Sequence, residues 1–144
     1  MAKRSPPITF VGAFVFMSGF FIELMADSTK TQFKEKPENK GKFIDQGYWK
    51  IIEFPNYLGE IIIWIGMSIY CWPYVRLHGV LAKSACFLSP VYLAYQLTYV
   101  SGVNLQRKQA EERWGDDPAY WRHRNRVGMY WPKLTTLLGW NWDK

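Results

Sequence analysis

Cysteine and histidine are scarce in this chain: its 144 residues hold two of each, Cys71, Cys86, His78 and His123. Neither cysteine stands at metal-ligand spacing or beside a histidine, so the sequence offers no metal site and no disulfide framework. Small buried hydrophobes are the expected role of both. The motifs with which soluble enzymes hold phosphates, dinucleotides or catalytic metals are missing too: there is no G-x-G-x-x-G, G-x-x-x-x-G-K-[ST], H-E-x-x-H or C-x-x-C. Charged residues make up only 21% of the chain, against 49% hydrophobic and 18% aromatic. That balance excludes a disordered tail and a charged coiled coil. The excess of base over acid, +6 in all, carries no nucleic-acid-binding motif, so no nucleic acid is expected as a partner.

The hydrophobic residues are gathered into blocks. No formal charge occurs from Ser5 to Ile22, from Ile61 to Val75 or from Ser84 to Gln106. At 1.5 Å per residue about 20 residues cross a hydrocarbon core of about 30 Å. The expected fold is therefore all-α: an integral membrane protein with about three transmembrane helices, near residues 6–25, 57–76 and 84–105, and short amphipathic interfacial helices. The middle span has to tolerate Glu60 on a protein-facing side and let Arg76 snorkel. Met1 to Arg4 followed by an apolar run reads as an uncleaved signal anchor.

Lysine and arginine are unevenly placed. Four flank the N-terminus and the short loop after the second block, whereas fourteen lie in loop 26–56 and tail 106–144. The positive-inside rule puts that loop and tail together on the cytosolic or matrix side. Within the loop, Glu23, Asp27, Lys30 and Lys34 share one face of a helix that Lys36-Pro37 ends. The segment from Phe43 to Trp49 suits the aromatic belt of a membrane interface. Pro55 fits the first turn of the second helix, where Asn56 and Glu60 share a face. In the tail the third helix is expected to run unbroken into water, with Arg107 pairing Glu111 and Lys108 pairing Glu112. Asp117 and Pro118 then start a short basic, aromatic helix over 119–126, and the last stretch is again interface-like. His123 has only arginines as neighbours, so it and His78 are expected at the surface or interface and not as bases.

Several linked segments carry a resemblance: Glu23-Leu-Met-Ala-Asp27 with Lys30, Phe33 and Lys34; Asn39-Lys-Gly-Lys-Phe-Ile44 with Gly47 and Trp49; Pro55-Asn-Tyr-Leu-Gly-Glu60; Ser101-Gly-Val103; and Glu112-Arg-Trp-Gly-Asp-Asp-Pro-Ala-Tyr120. In this order they resemble the C-terminal part of the membrane reductases related to steroid 5-alpha-reductase, over about Phe20 to Pro132. The resemblance implies one truncated C-terminal domain, residues 1–144, from the side of such enzymes that holds NADPH. It implies cofactor-binding roles for Asp27, Lys30 and Lys34 near phosphates or ribose, and for Asn56, Tyr57 and Glu60 in the pocket wall. It implies no catalytic residue here.

Two departures shape the expected function. Such reductases usually have Ser-Arg-His before Pro-Asn-Tyr, where this chain has Ile52-Glu53-Phe54, an acid beside the anionic ligand. Only seven residues precede the first apolar block, so the helices that would enclose the lipid are expected to be absent. Together these favour a non-catalytic accessory subunit of a larger membrane complex. A mitochondrial respiratory complex in the inner membrane is the expected host, with other membrane subunits and phospholipids as partners and no cofactor required. The alternative is an NADPH-dependent reductase of a carbon–carbon double bond in a sterol or other lipid, completed by a partner or oligomer, with the endoplasmic reticulum as the alternative location.

Overall fold

The computed structural model describes residues 6–75 and 79–138; the expectations placed on Lys3, Arg4, Arg76, His78 and Lys144 lie outside them. The described chain is helical: α1 (Pro7–Glu35), α2 (Pro55–Val75), α3 (Gly79–Tyr95), α4 (Val103–Trp114), α5 (Pro118–Arg126) and the single turn α6 (Leu134–Leu137). Two of these, α1 and α2, are long and apolar enough to cross a membrane.

The two long helices pack antiparallel along a seam of small residues. The buried positions of α1 are Thr9, Gly12, Gly19, Ala26 and Phe33, and from Gly12 onward they recur every seven residues. On α2, Gly59 and Gly66 continue the same repeat. A seven-residue repeat keeps one helix face turned to its partner, and small residues let two backbones approach. A Cβ built on Gly19 would lie 2.6 Å from the Ile63 backbone nitrogen, and one on Gly59 would lie 2.7 Å from that of Glu23. Away from the seam the large apolar side chains of α1 face outward, Phe14 being 74% exposed. Such a surface is stable where the surroundings are hydrocarbon.

The third apolar block begins its helix earlier than expected and does not run on into α4. Helical backbone continues from α3 through a π-helical turn, Gln96–Val100, and breaks at Ser101-Gly102. There the Ser101 N–H reaches back to the Gln96 carbonyl (3.0 Å) and the Asn104 amide donates to the Tyr99 carbonyl (3.0 Å). The local bonds that close the π turn thus replace the ones a straight helix would have made. Pro90 inside α3 has no N–H for the Cys86 carbonyl one turn before it. Ser68 of α2 supplies the missing donor, its hydroxyl lying 2.5 Å from that carbonyl and 2.9 Å from its own Trp64 carbonyl. Ser68→Ala is therefore expected to cost about 1 kcal/mol in thermal unfolding of the micelle-bound protein. Ser84→Ala is the control, because among the described residues the Ser84 hydroxyl bonds the Val80 carbonyl of its own helix; equal melting of both variants would remove the interhelical role.

The conventional core lies elsewhere. Ala26, Phe33, Trp49, Ile52, Phe54, Leu58, Val103, Tyr120 and Val127 are buried, and all belong to one end of the molecule. Here the projecting end of α1, loop 36–54 and the chain from α4 onward close into a cap. Lys36-Pro37 ends α1 as expected, and Asp117 caps α5, accepting from the Ala119 N–H at 2.8 Å. The Trp49 indole donates to the Ala26 carbonyl (3.0 Å) and the Trp114 indole to the Gly41 carbonyl (2.6 Å). Gly41 holds a positive φ of 81° at that turn. The N–H groups of Glu53 and Phe54 donate to Gly128 and Met129 (2.8 and 3.1 Å), fixing the tail beside the entry to α2. Phe43 to Trp49 is thus not an interface belt. Trp49 is buried, and Phe43 packs on Trp114, Tyr120 and His123.

Candidate functional site

The cap encloses a cavity of about 280 Å³ between α1, loop 36–54, α4 and α5. Helical periodicity decides which side chains reach it. On α1, Lys30, Phe33 and Lys34 form one face at spacings of three and four. On α4 the same rule selects Gln106, Ala110 and Arg113, with Arg107, Gln109 and Trp114 beside them, and on α5 it selects Tyr120, His123 and Arg124. The loop adds Lys42, Phe43, Ile44, Trp49, Glu53 and Phe54. Six of these side chains are lysine or arginine and one is an acid.

That acid is fully engaged. Glu53 accepts two bonds from Arg107, Nε at 2.9 Å and a terminal nitrogen at 2.6 Å, and lies 3.8 Å from Arg124 Nε. Arg124 also pairs with Glu111. Arg107 and Glu111 therefore do not pair within α4, and among the described residues Lys108 and Glu112 form no ion pair either. A bidentate, half-buried carboxylate outweighs an exposed i,i+4 pair worth about 0.3–0.5 kcal/mol. The charge argument built on Glu53 is corrected at the same time: its carboxylate is neutralised within the chain. Its hydrogen bonds hold the Arg107 guanidinium above its ordinary pKa against the cost of burial.

Lys30, Lys34, Lys42 and Arg113 have no acidic partner within salt-bridge distance among the described residues. Lys30 lies over the Trp49 ring, 4.9 Å from its centroid. Burial, and then the neighbouring Lys34 charge, push its pKa down, with Asp27 opposing. His123 is not a free surface residue. It stacks on Phe43 at 5.4 Å, burial and Arg126 lower its pKa, and its Nδ1 is buried without a partner among the described residues. Nothing in its local sequence, a run of arginines, signals that position.

Of the residues implied by resemblance, Lys30 and Lys34 line the cavity, whereas Asp27, Asn56, Tyr57 and Glu60 stand outside its lining. Tyr57 is joined to it indirectly: its hydroxyl oxygen accepts from Gln106 Nε2 at 2.6 Å, and its ring stacks on Phe54 at 5.6 Å. Asn56 Oδ1 is buried with no hydrogen-bond partner among the described residues. Glu60 lies one turn further along α2, within electrostatic reach of Glu23. The cavity's wall from α4 and α5, with Arg107, Arg113, Arg124 and His123, was missed from sequence.

A family model described as "Protein of unknown function (DUF1295)" matches residues 4–127. Steroid 5-alpha-reductase DET2 of Arabidopsis thaliana is 33% identical over 64 residues, 43% of this chain and 24% of that protein. The protein of the same name from Gossypium hirsutum is 27% identical over 89 residues, 62% of this chain and 34% of that one. Delta(14)-sterol reductase of Arabidopsis thaliana is 25% identical over 103 residues, 65% of this chain and 26% of that protein. The chain thus matches about a quarter to a third of the length of these curated relatives, and no solved structure matches it. With its match running through α1 to α5, the chain belongs to the DUF1295 family, which is related to the steroid 5-alpha-reductases.

Proposed function

We propose that this chain is the cofactor-holding part of an NADPH-dependent membrane reductase acting on a carbon–carbon double bond of a sterol or other lipid. The observation that carries the reading is the cluster of Lys30, Lys34, Lys42 and Arg113, without acidic partners among the described residues, around an aromatic-walled cavity at the end of the membrane helices. The residues fit the phosphate-bearing part of the group, and the cavity of about 280 Å³ takes that part of the dinucleotide and not the whole. NADPH carries three phosphates, and a lysine places a compact charge beside each while arginine forks onto two oxygens. Trp49, Phe43 and Phe54 supply flat apolar faces that exclude water from the wall. Gln106 donates to the Tyr57 oxygen, which leaves the phenolic proton free to donate to another group. When bound, NADPH supplies a hydride to an electron-poor double bond. The names of the curated relatives favour this activity over a non-catalytic accessory role, and Glu53 no longer argues against it. A lipid substrate dissolved in the bilayer places the protein in the membrane that holds that lipid.

The test is direct. Purified protein in lipid nanodiscs is expected to bind NADPH and, with a sterol enone present, to consume it. Isolation only at fixed stoichiometry within a larger complex, with NADPH neither bound nor consumed, would restore the accessory reading.

A further inference from the structure

The cavity is electrically divided. On α4, Arg107 and Arg113 are six residues apart, about 9 Å along the axis. The turn bearing Arg113 is tied by the Trp114 indole to the Gly41 carbonyl, next to Lys42. This is the outer end, and the charged side chains that line the cavity there, Arg113, Lys42 and Lys34, are positive. The turn bearing Arg107 faces Glu53 and Phe54, where the chain enters α2. At this inner end Glu53 holds Arg107 and lies 3.8 Å from Arg124, whose other partner, Glu111, stands further along α4, so the Arg107 charge is cancelled.

The inner arginines are built as an anion seat. The Arg107 guanidinium lies 5.8 Å from the Phe54 ring centroid and that of Arg124 lies 5.1 Å from Trp121, so both forks are oriented by aromatic faces. A carboxylate held in two parallel N–H bonds occupies the position a phosphate would take on the same guanidinium. The Glu53 backbone is fixed by its N–H bond to the Gly128 carbonyl, and its carboxylate is held by the two bonds from Arg107. We infer that Glu53 is a specificity-determining residue: its carboxylate fills the anion seat between Arg107 and Arg124 and confines a ligand's phosphates to the outer end of the cavity. The inference rests on the reading that the cavity takes a phosphate-bearing cofactor. It makes the site selective for a ligand that is polyanionic at one end and uncharged at the other, and unfavourable for one with anionic groups at both.

Inorganic pyrophosphate is the probe, titrated into the full-length protein in nanodiscs at several salt concentrations. Glu53→Gln keeps the size of the side chain and frees the Arg107 guanidinium, while Arg124 loses its Glu53 neighbour and keeps Glu111. It is expected to tighten pyrophosphate binding roughly tenfold or more and to steepen its salt dependence. Glu53→Ala is expected to do the same, and Glu53→Gln combined with Arg107→Gln to lose the gain. Affinity unchanged or weaker in folded Glu53→Gln and Glu53→Ala proteins overturns the inference, as does a gain that survives in the double variant. A parallel NADPH titration of the unaltered protein separates the two readings. A pyrophosphate gain without NADPH binding leaves the seat standing and removes the cofactor. NADPH binding without the gain removes the seat alone.

Discussion

Gly19→Val and Gly66→Val are each expected to cost about 3 kcal/mol and to separate α1 from α2, whereas Phe14→Leu, on the face of α1 opposite the seam, is expected to cost almost nothing. Gly19 faces the backbone of Ile63 and Gly59, and a Cβ on Gly66 would stand 2.6 Å from the Phe16 Cα. These are backbone atoms, which cannot rotate aside as a side chain would, so the helices must part to admit even one methyl group. In hydrocarbon nothing drives the apolar faces back together, since the lipid tails solvate Phe14 as well as another helix would. The seam is therefore the main source of cohesion between the two spans, and it also carries the cap. Ala26 and Phe33 extend the seven-residue register of Gly12 and Gly19 into the cavity wall, where Ala26 receives the Trp49 indole bond. Loss of the seam should thus reach the cavity. Thermal unfolding in detergent, followed by circular dichroism with NADPH titration on the same samples, checks both effects; valine variants that melt with the unaltered protein would sink the argument.

What was legible in the sequence was local. Lys36-Pro37 stops α1, Pro55 opens α2 and Asp117-Pro118 starts α5 because each signal acts through bonds within one turn. The all-α membrane fold was legible from the lengths of uncharged runs, and the family from linked motifs spread over the chain. The seam was present as a repeat of Gly12, Gly19 and Ala26 but was not read, since small residues in an apolar block leave hydropathy unchanged. The long-range pairs had no local signature. Glu53 and Arg107 are 54 residues apart, and α4 offered Arg107 a nearer acid in Glu111 that the fold gives to Arg124. Aromatic residues misled for a related reason. An amphipathic ring such as Trp49 or Phe43 suits a membrane interface and a wet protein core equally, and only the partner, here the Ala26 carbonyl or the His123 ring, tells them apart.

Lys34→Glu is expected to weaken NADPH binding by roughly a hundredfold, and Lys30→Gln by about tenfold. The difference follows from charge. Glutamine at position 30 removes one of the cavity's four cations unpaired among the described residues, whereas glutamate at position 34 removes one and places an anion among the remaining three. Lys30 adds a pH signature of its own. Burial and the Lys34 charge lower its pKa in the free protein, and a bound phosphate opposes that shift by favouring the charged form. Its pKa is then higher in the complex than in the free protein, so binding takes up a proton between the two values. Affinity should be greatest below the depressed pKa of the free lysine and fall as pH rises through it, at a lower pH than an ordinary lysine would set. In Lys30→Gln that decline should disappear while the salt dependence from Lys34, Lys42 and Arg113 persists. Titrations of both variants and the unaltered protein across alkaline pH decide the matter. An alkaline decline that survives in Lys30→Gln would assign the proton to another group, and NADPH binding untouched by Lys34→Glu would place the phosphates outside this cavity.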